Sequence, residues 1–139
     1  MDEMPLLHPG SCLCGGIRYQ ITGELPDFEV CHCRQCQQAG GGACVVVAPI
    51  QASSFELLAG SELLTAYRAT PGKERLFCKR CGSPLFSRRD DKPEQLRLRV
   101  GTLMATGDAR VASHAYVASK LDWFDIGDEA PRYAGPRPD

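Results

Sequence analysis

The chain has 139 residues, of which 43% are hydrophobic, and a formal net charge of −1. That length allows one domain with its own core, and the composition excludes disorder of the whole chain and a general attraction to nucleic acid or anionic membranes. No run approaches the roughly 18 apolar residues of a membrane span. The first residues, MDEMPLLHPGS, carry acids at positions 2 and 3 and do not form a signal peptide. We therefore expect a cytoplasmic protein whose thiols stay reduced.

Short strands broken by glycine and proline dominate the predicted secondary structure. In chain order they cover residues 17–21, 29–31, 43–48, 55–58, 63–69, 75–78, 84–87, 96–100 and 115–118. One helical turn is predicted at 34–39, before three consecutive glycines. The pattern predicts a mainly β fold of many short strands. We expect a single domain at 10–130, an N-terminal extension at 1–9 and a proline-rich tail at 131–139.

The charge is concentrated in one part of the chain, residues 68–99, which we call the basic window. It holds ten Lys or Arg against four acids. Part of it, LRLRV at 96–100, alternates apolar and cationic residues, which places two arginines on one face of a strand. The basic window is either a solvated face or a site for an anion such as a carboxylate or phosphate.

Four of the eight cysteines form two close pairs, Cys12-x-Cys14 and Cys78-x-x-Cys81. Structural zinc sites are usually built from two such pairs, each on a tight turn. Glycine follows each pair, at Gly15 and at Gly82, and glycine permits the positive φ that turns backbone N–H groups toward the sulfurs. The spacing predicts one zinc held by four thiolates, which ties the start of the domain to its later strands.

The segment CHCRQC places Cys31, Cys33 and Cys36 within six residues. Three protein ligands with an open fourth position are typical of a catalytic zinc. The side chains that can close the site are Cys44, His32, His114 and His8. His32 lies between two ligands in an extended segment, so its side chain is expected to point away from theirs. Cys44 is expected to pack in the core, His8 on the surface, and His114 either in the core or in a pocket.

Three thiolates donate so much charge that a zinc they hold is a poor activator of water. A soft, thiolate-rich zinc suits an incoming thiol as its fourth ligand instead. A bound thiol loses its proton and becomes a nucleophile or a leaving group at neutral pH. The trio therefore favours chemistry that makes or breaks a bond to sulfur.

Three ordered cysteine motifs, GSCLCGG at 10–16, CHCRQC at 31–36 and FCKRCGS at 77–83, resemble those of a known family. Weaker matches are VAP at 47–49 with Phe55, and KLDW at 120–123 with residues 128–131. The sequence resembles the glutathione-dependent formaldehyde-activating enzyme family, which includes centromere protein V-like proteins.

The resemblance implies a zinc-binding β-sandwich similar to methionine-R-sulfoxide reductase B and translationally controlled tumour protein. It implies two zincs per chain, a structural one held by Cys12, Cys14, Cys78 and Cys81 and a catalytic one held by Cys31, Cys33 and Cys36. The family activity is carbon–sulfur lyase chemistry that interconverts glutathione plus formaldehyde with S-hydroxymethylglutathione. The expected partner is thus a small thiol or thiol–aldehyde adduct, with glutathione as the candidate.

Two alternatives stay open from the sequence. A non-catalytic zinc module can bind nucleic acid or protein through the basic window, although aromatic residues are not interleaved there as in base-stacking surfaces. Cys33-x-x-Cys36 also has the spacing of a redox couple, but it lacks the βαβ context of such proteins, and thiolates that bind a metal are not available for redox exchange.

Overall fold

The computed structural model describes residues 6–68 and 70–138. Ten strands and one short helix form most of its regular structure. They are β1 Leu7–Ser11, β2 Arg18–Thr22, β3 Phe28–Cys31, α1 Arg34–Gly40, β4 Val45–Gln51, β5 Phe55–Ala59, β6 Leu64–Tyr67, β7 Lys73–Cys78, β8 Pro84–Arg89, β9 Gln95–Arg99 and β10 Val111–Ala115. Single 3-10 turns cover Ala52–Ser54, Val100–Thr102 and Val117–Ser119. None of the helices in the described ranges is long and apolar enough to span a membrane.

The strands form two sheets, and the predicted mainly β sandwich is confirmed. One sheet has the order β1-β2-β5, and the other has the order β10-β3-β4-β9-β8-β7-β6. Only β10 and β3 pair in parallel among the described strand pairs. The main core lies between the sheets, where the ring of Phe55 packs on Tyr19 at 5.1 Å and on Phe86 of the larger sheet at 5.3 Å.

The strand register separates the two faces of the larger sheet. Leu96 and Leu98 of β9 are 2% and 0% exposed and face the main core. Residues directly opposite each other in a ladder share a face, so Arg99 lies beside Val47, and Val47 lies beside Glu29. A second, smaller apolar cluster covers this opposite face and contains the CHCRQC thiols. The alternation of LRLRV thus places its arginines next to those cysteines.

Two strands differ from the sequence prediction. β1 was not predicted, because Pro9 and Gly10 weigh against a strand. Proline is tolerated here because β1 lies at the edge of its sheet, beside β2. The strand predicted at 115–118 lies instead at Val111–Ala115, because Tyr116 takes a left-handed backbone with φ 57° that ends the ladder. The predicted helical turn is α1, which ends at Gly41.

The domain bounds at 10 and 130 remain a prediction, although both flanking segments make ordered contacts. β1 begins before residue 10, and the Tyr133 amide donates to the His114 carbonyl at 2.8 Å. The Arg137 guanidinium lies 2.7 Å from Glu29. Residues 1–5 and 139, at the outer ends of the predicted extension and tail, lie outside the described residues.

Candidate active site

The first cysteine cluster joins two turns that are distant in the sequence. The Sγ atoms of Cys12, Cys14, Cys78 and Cys81 all lie within 4.8 Å of one another. Cys12 and Cys78 are buried, whereas Cys14 is exposed. Four converging thiols of this kind are the donor set of a tetrahedral zinc, and they fit that ion.

Both turns have the backbone that the glycines predicted. Gly15 and Gly82 have φ of +78° and +82°, where a side chain would be strained. The Gly15 and Gly82 amides donate to the carbonyls of Cys12 and Cys78 at 3.1 and 2.7 Å, which closes each turn. The Ile17 amide donates to the Cys12 sulfur at 3.3 Å.

Neighbouring polar groups favour thiolates in this cluster. The Ser83 hydroxyl, 3.3 Å from the Cys81 sulfur, helps to lower the pKa of Cys81 to about 5. The backbone N–H of Gly16, followed by the Arg80 side chain, lowers the pKa of Cys14. Cys14 and Cys81 therefore lose their protons to a cation more readily, whereas burial raises the pKa of Cys78.

The second cluster forms where β3 runs into α1. Cys31 ends β3, Cys33 is the N-cap residue of α1, and Cys36 lies in its first turn. The Cys33 sulfur accepts from the Cys36 amide at 3.3 Å. This strand-to-helix turn brings the three Sγ atoms within 4.8 Å of one another.

Because the thiols of Cys31 and Cys36 lie close together, their pKa values shift in opposite directions. The hydrogen bond from Cys31 lowers the pKa of Cys36 to about 5, and the charges of Lys73 and Arg99 contribute to the same shift. The same contact with Cys36, together with burial, raises the pKa of Cys31. Without a cation one thiolate shared by the Cys31–Cys36 pair is therefore favoured, and a divalent cation would have to displace the proton that the pair retains.

None of the four side chains considered as closing ligands joins the trio among the described residues. His8 is half-buried and lies 2.9 Å from the Gly23 carbonyl. His32 is fully buried and points away from the thiols, as expected for alternation along an extended segment. Cys44 is half-buried rather than a full core residue. His114 is a core histidine, 4% exposed.

A hydrogen-bonded chain of two buried histidines and the exposed Asp128 lies behind the trio, and the sequence did not predict it. His32 Nε2 lies 2.9 Å from His114 Nδ1, and His114 Nε2 lies 2.9 Å from a carboxylate oxygen of Asp128. Because the carboxylate accepts, His114 donates from Nε2, and in the neutral tautomer its Nδ1 accepts from His32. Gln37 donates to the carbonyls of His32 and Ser119 at 2.9 and 3.0 Å. The chain and Gln37 fix the backbone that carries the cysteines.

The trio opens into a cleft of about 650 Å³ with a cationic lining. The lining cations are Arg34, Lys73, Arg89, Lys92, Arg97, Arg99 and Arg137. Arg97 and Arg137 both pair with Glu29, at 2.8 and 2.7 Å. Tyr116, with its strained backbone, also lines the cleft.

Three of these cations, Arg34, Lys73 and Arg99, have no carboxylate within ion-pair distance in the described part of the chain. Arg34 is exposed and donates to Gln37 at 3.2 Å, whereas Lys73 is half-buried and Arg99 is buried. Burial lowers the pKa of both Lys73 and Arg99. Holding such desolvated cations together is costly unless an anion balances them. Cys36 supplies part of that balance, and room remains for a bound anion.

The other cations of the basic window are distributed differently. Arg88 pairs with Glu74 at 2.8 Å, and Arg68 pairs with Glu74 and Asp90 at 3.2 and 2.6 Å. Neither Arg68 nor Arg88 is among the residues that line the cleft. The basic window therefore contains both solvated ion pairs and cations of the cleft.

Comparison with known proteins identifies this arrangement of cysteines. The family model of the glutathione-dependent formaldehyde-activating enzyme matches residues 7–119, which include both clusters. The chain belongs to this family. A Halomonas elongata protein that carries the family name is 28% identical over 131 residues, covering 87% of this chain and 82% of the relative. An uncharacterized lyase of Schizosaccharomyces pombe is 29% identical over 79 residues, or 57% of this chain and 56% of that protein.

A solved structure supports the same fold. The crystal structure of a Rhodobacter sphaeroides protein matches with a TM-score of 0.59 and 25% identity, covering 74% of this chain and 98% of that one. The two thiol clusters are thus those of a member of the glutathione-dependent formaldehyde-activating enzyme family. Both clusters can hold a metal ion, and the thiolate donor sets fit zinc.

We expect the two clusters of this family member to lose zinc at different rates. The trio offers three bonds to an ion, whereas the four-cysteine cluster offers four and is built into the fold. Dilute chelator should therefore remove one zinc per chain quickly, without a change in far-UV circular dichroism, and the second only as the protein unfolds. The measurement is zinc release followed with a metal indicator. Simultaneous loss of both ions with unfolding would contradict the distinction.

Proposed function

We propose that the chain is a zinc-dependent carbon–sulfur lyase that interconverts a thiol plus an aldehyde with their adduct. In the forward direction R–S–CH2–OH gives R–SH and formaldehyde. The C–S bond breaks, its electron pair stays on sulfur, the hydroxyl proton is lost as the C=O bond forms, and the sulfur takes a proton from water. Glutathione as the thiol and formaldehyde as the aldehyde are the pair that the family name suggests.

The proposal rests on one observation. Three closely spaced thiols lie beside cations that lack a carboxylate partner among the described residues. Zinc held by Cys31, Cys33 and Cys36 would supply an open position at which an incoming thiol loses its proton. Lys73 and Arg99 would bind the carboxylate groups of that thiol. The hydrogen-bonded chain from His32 to Asp128 would hold the cysteine segment in place while substrate enters and leaves.

The direct test is the rate of exchange between a thiol and its formaldehyde adduct. Exchange NMR with glutathione, formaldehyde and the zinc-loaded protein should give line broadening that scales with protein concentration. An unaccelerated rate with both metal sites filled, for formaldehyde and for a larger aldehyde alike, would overturn the lyase proposal. Salt-dependent binding of an oligonucleotide by the same preparation would favour the nucleic-acid alternative instead.

The position of each cation gives a matched mutational test. Lys73→Met should raise KM for the glutathione adduct about tenfold or more, because hydrogen bonds to charged groups contribute about 1.5–3 kcal/mol. Lys73 is half-buried in the cleft, whereas Arg88 pairs with Glu74 outside it. Arg88→Met is therefore the control and should leave KM within about twofold.

A thiol without carboxylates provides the second control. For the mercaptoethanol adduct, Lys73→Met should change KM little, since that thiol has no anionic group for Lys73 to bind. Equal losses for both thiols would mean that Lys73 acts on the cysteine trio and not on the substrate carboxylate.

A further inference from the structure

A second cavity, of about 570 Å³, lies beside the cleft between α1 and strands β6, β7 and β8. We call it the side groove. Its apolar lining comes from Ala39, Tyr67, Leu76, Phe77, Pro84 and Phe86. At one end, Gln35 of α1 hydrogen-bonds Thr70 at 3.3 Å and Arg75 at 3.4 Å. The side groove thus combines six apolar side chains with polar groups, among them Gln35, Arg75 and Arg99.

The side groove is continuous with the three-thiol cleft. Gln35 and Arg99 line both cavities. Gln35 precedes Cys36 on α1, and the charge of Arg99 interacts with the thiols of Cys36 and Cys31. A molecule whose sulfur reaches the trio therefore has two directions in which to extend.

The strand register places part of the lining of both cavities on one face, whereas Leu76 and Phe86 pair with each other and with Leu98 on the core face. Tyr67 stands opposite Arg75, Arg75 opposite Ser87, and Ser87 opposite Arg97. Residues opposite each other share a face, so Tyr67 and the arginines of β7 and β9 lie on the same side of the larger sheet. Between β7 and β8 the register shifts after Leu76, and Phe77 stands opposite Pro84.

The chemistry of the two cavities differs. The cleft carries seven lining cations and suits the carboxylates of a thiol. The side groove is lined by only two cations, Arg75 and Arg99, and it includes Tyr67, an aromatic residue that is 58% exposed. Cavities of about 300–1,000 Å³ hold ligands much larger than one carbon. Formaldehyde would contribute a single carbon at the sulfur and would leave the side groove without a ligand group.

We propose that the side groove binds the carbon substituent of the aldehyde, so that the preferred substrates are adducts of a thiol with an aldehyde bearing an aromatic or aliphatic group. This inference rests on the proposed lyase function. The reaction is R–S–CH(OH)–R′ to R–SH and R′–CHO, in which the C–S bond breaks, the hydroxyl proton is released, and the sulfur gains a proton. R lies in the cationic cleft, and R′ lies in the side groove.

The test compares the glutathione adducts of formaldehyde and of phenylacetaldehyde, with kcat/KM measured for each. The zinc-loaded protein should favour the phenylacetaldehyde adduct. Ala39→Trp places an indole in the side groove from the exposed face of α1 and should lower the ratio of the two kcat/KM values about tenfold or more, in the range for steric changes in an apolar pocket. Tyr67→Ala removes an exposed aromatic side chain from the opposite wall of the side groove, and it should also lower the ratio of the two kcat/KM values.

Ala105→Trp is the matched control, since Ala105 is exposed and lies outside the residues that line either cavity. It should keep the wild-type ratio, and the zinc content of all variants should be equal. A ratio that neither Ala39→Trp nor Tyr67→Ala changes would overturn the assignment of the side groove, as would turnover of the formaldehyde adduct alone. Failure to turn over either adduct would instead overturn the lyase function and this inference with it.

Discussion

Cys78→Ser should produce a chain that does not fold. Cys78 is fully buried at the end of β7 and lies 3.8 Å from the sulfur of Cys14, across 64 positions of sequence. Structural zinc binding contributes about 10–16 kcal/mol in zinc-finger peptides, whereas whole domains are stable by about 5–15 kcal/mol. Replacing one of the four ligands therefore weakens a contribution that, as a whole, is comparable to the total stability. Solubility, far-UV circular dichroism and thermal unfolding measure the outcome.

Cys44→Ser is the control for this variant, because it also replaces one cysteine by serine. Cys44 is half-buried and joins neither cluster in the described part of the chain. Its replacement should cost about 1 kcal/mol, the centre of the range for single substitutions, and should leave two zincs per chain. A Cys78→Ser protein that melts like the parent and retains two zincs would refute the structural role of the four-cysteine cluster.

Cys33→Ser should yield a folded protein that has lost the proposed lyase activity and one of two zincs. Cys33 is the N-cap of α1, and serine also caps helices well, so the substitution keeps the turn while it removes a thiolate. The rate of adduct exchange should fall by more than about 100-fold, the upper end for loss of a group that only supports a metal ligand. The measurements are metal content, thermal stability and exchange NMR.

Cys44→Ser again provides the decisive comparison. If the trio has an open fourth position, Cys44→Ser keeps both metals and the activity. If that substitution empties the second site, Cys44 closes it, the site is structural, and the lyase proposal fails. A Cys33→Ser protein that retains full activity would contradict the assignment of Cys33 as a ligand of the catalytic zinc.

The cysteine clusters were accessible from sequence because their geometry is mainly local. The spacings Cys12-x-Cys14 and Cys78-x-x-Cys81, each followed by glycine, determine two tight turns, and both glycines have the predicted positive φ. In CHCRQC a strand end, an N-cap and a first helical turn follow one another within six residues. Each of these features depends on a few neighbouring dihedral angles, which the residue types themselves restrict.

The strands were predicted where side-chain alternation or β-branching was clear. β1 was missed because proline and glycine oppose a strand unless it lies at an edge, and edge position is a property of the whole sheet. The strand predicted at 115–118 lies at Val111–Ala115 instead. A tyrosine rarely adopts a left-handed backbone, so the residue type of Tyr116 gave no reason to expect the strand to end there.

The sequence by itself thus determined the fold class, the grouping of the thiols and the thiol chemistry that they favour. Only the tertiary structure decided which cations of the basic window face those thiols. Lys73, Arg97 and Arg99 all line the cleft, but Arg97 pairs with Glu29 there. Arg88 pairs with Glu74 outside the cleft. The physical reason is that a one-residue change of strand register moves every side chain to the other face. Register is set by pairing across the sheet, as is the contact between His32 and His114, 82 residues apart.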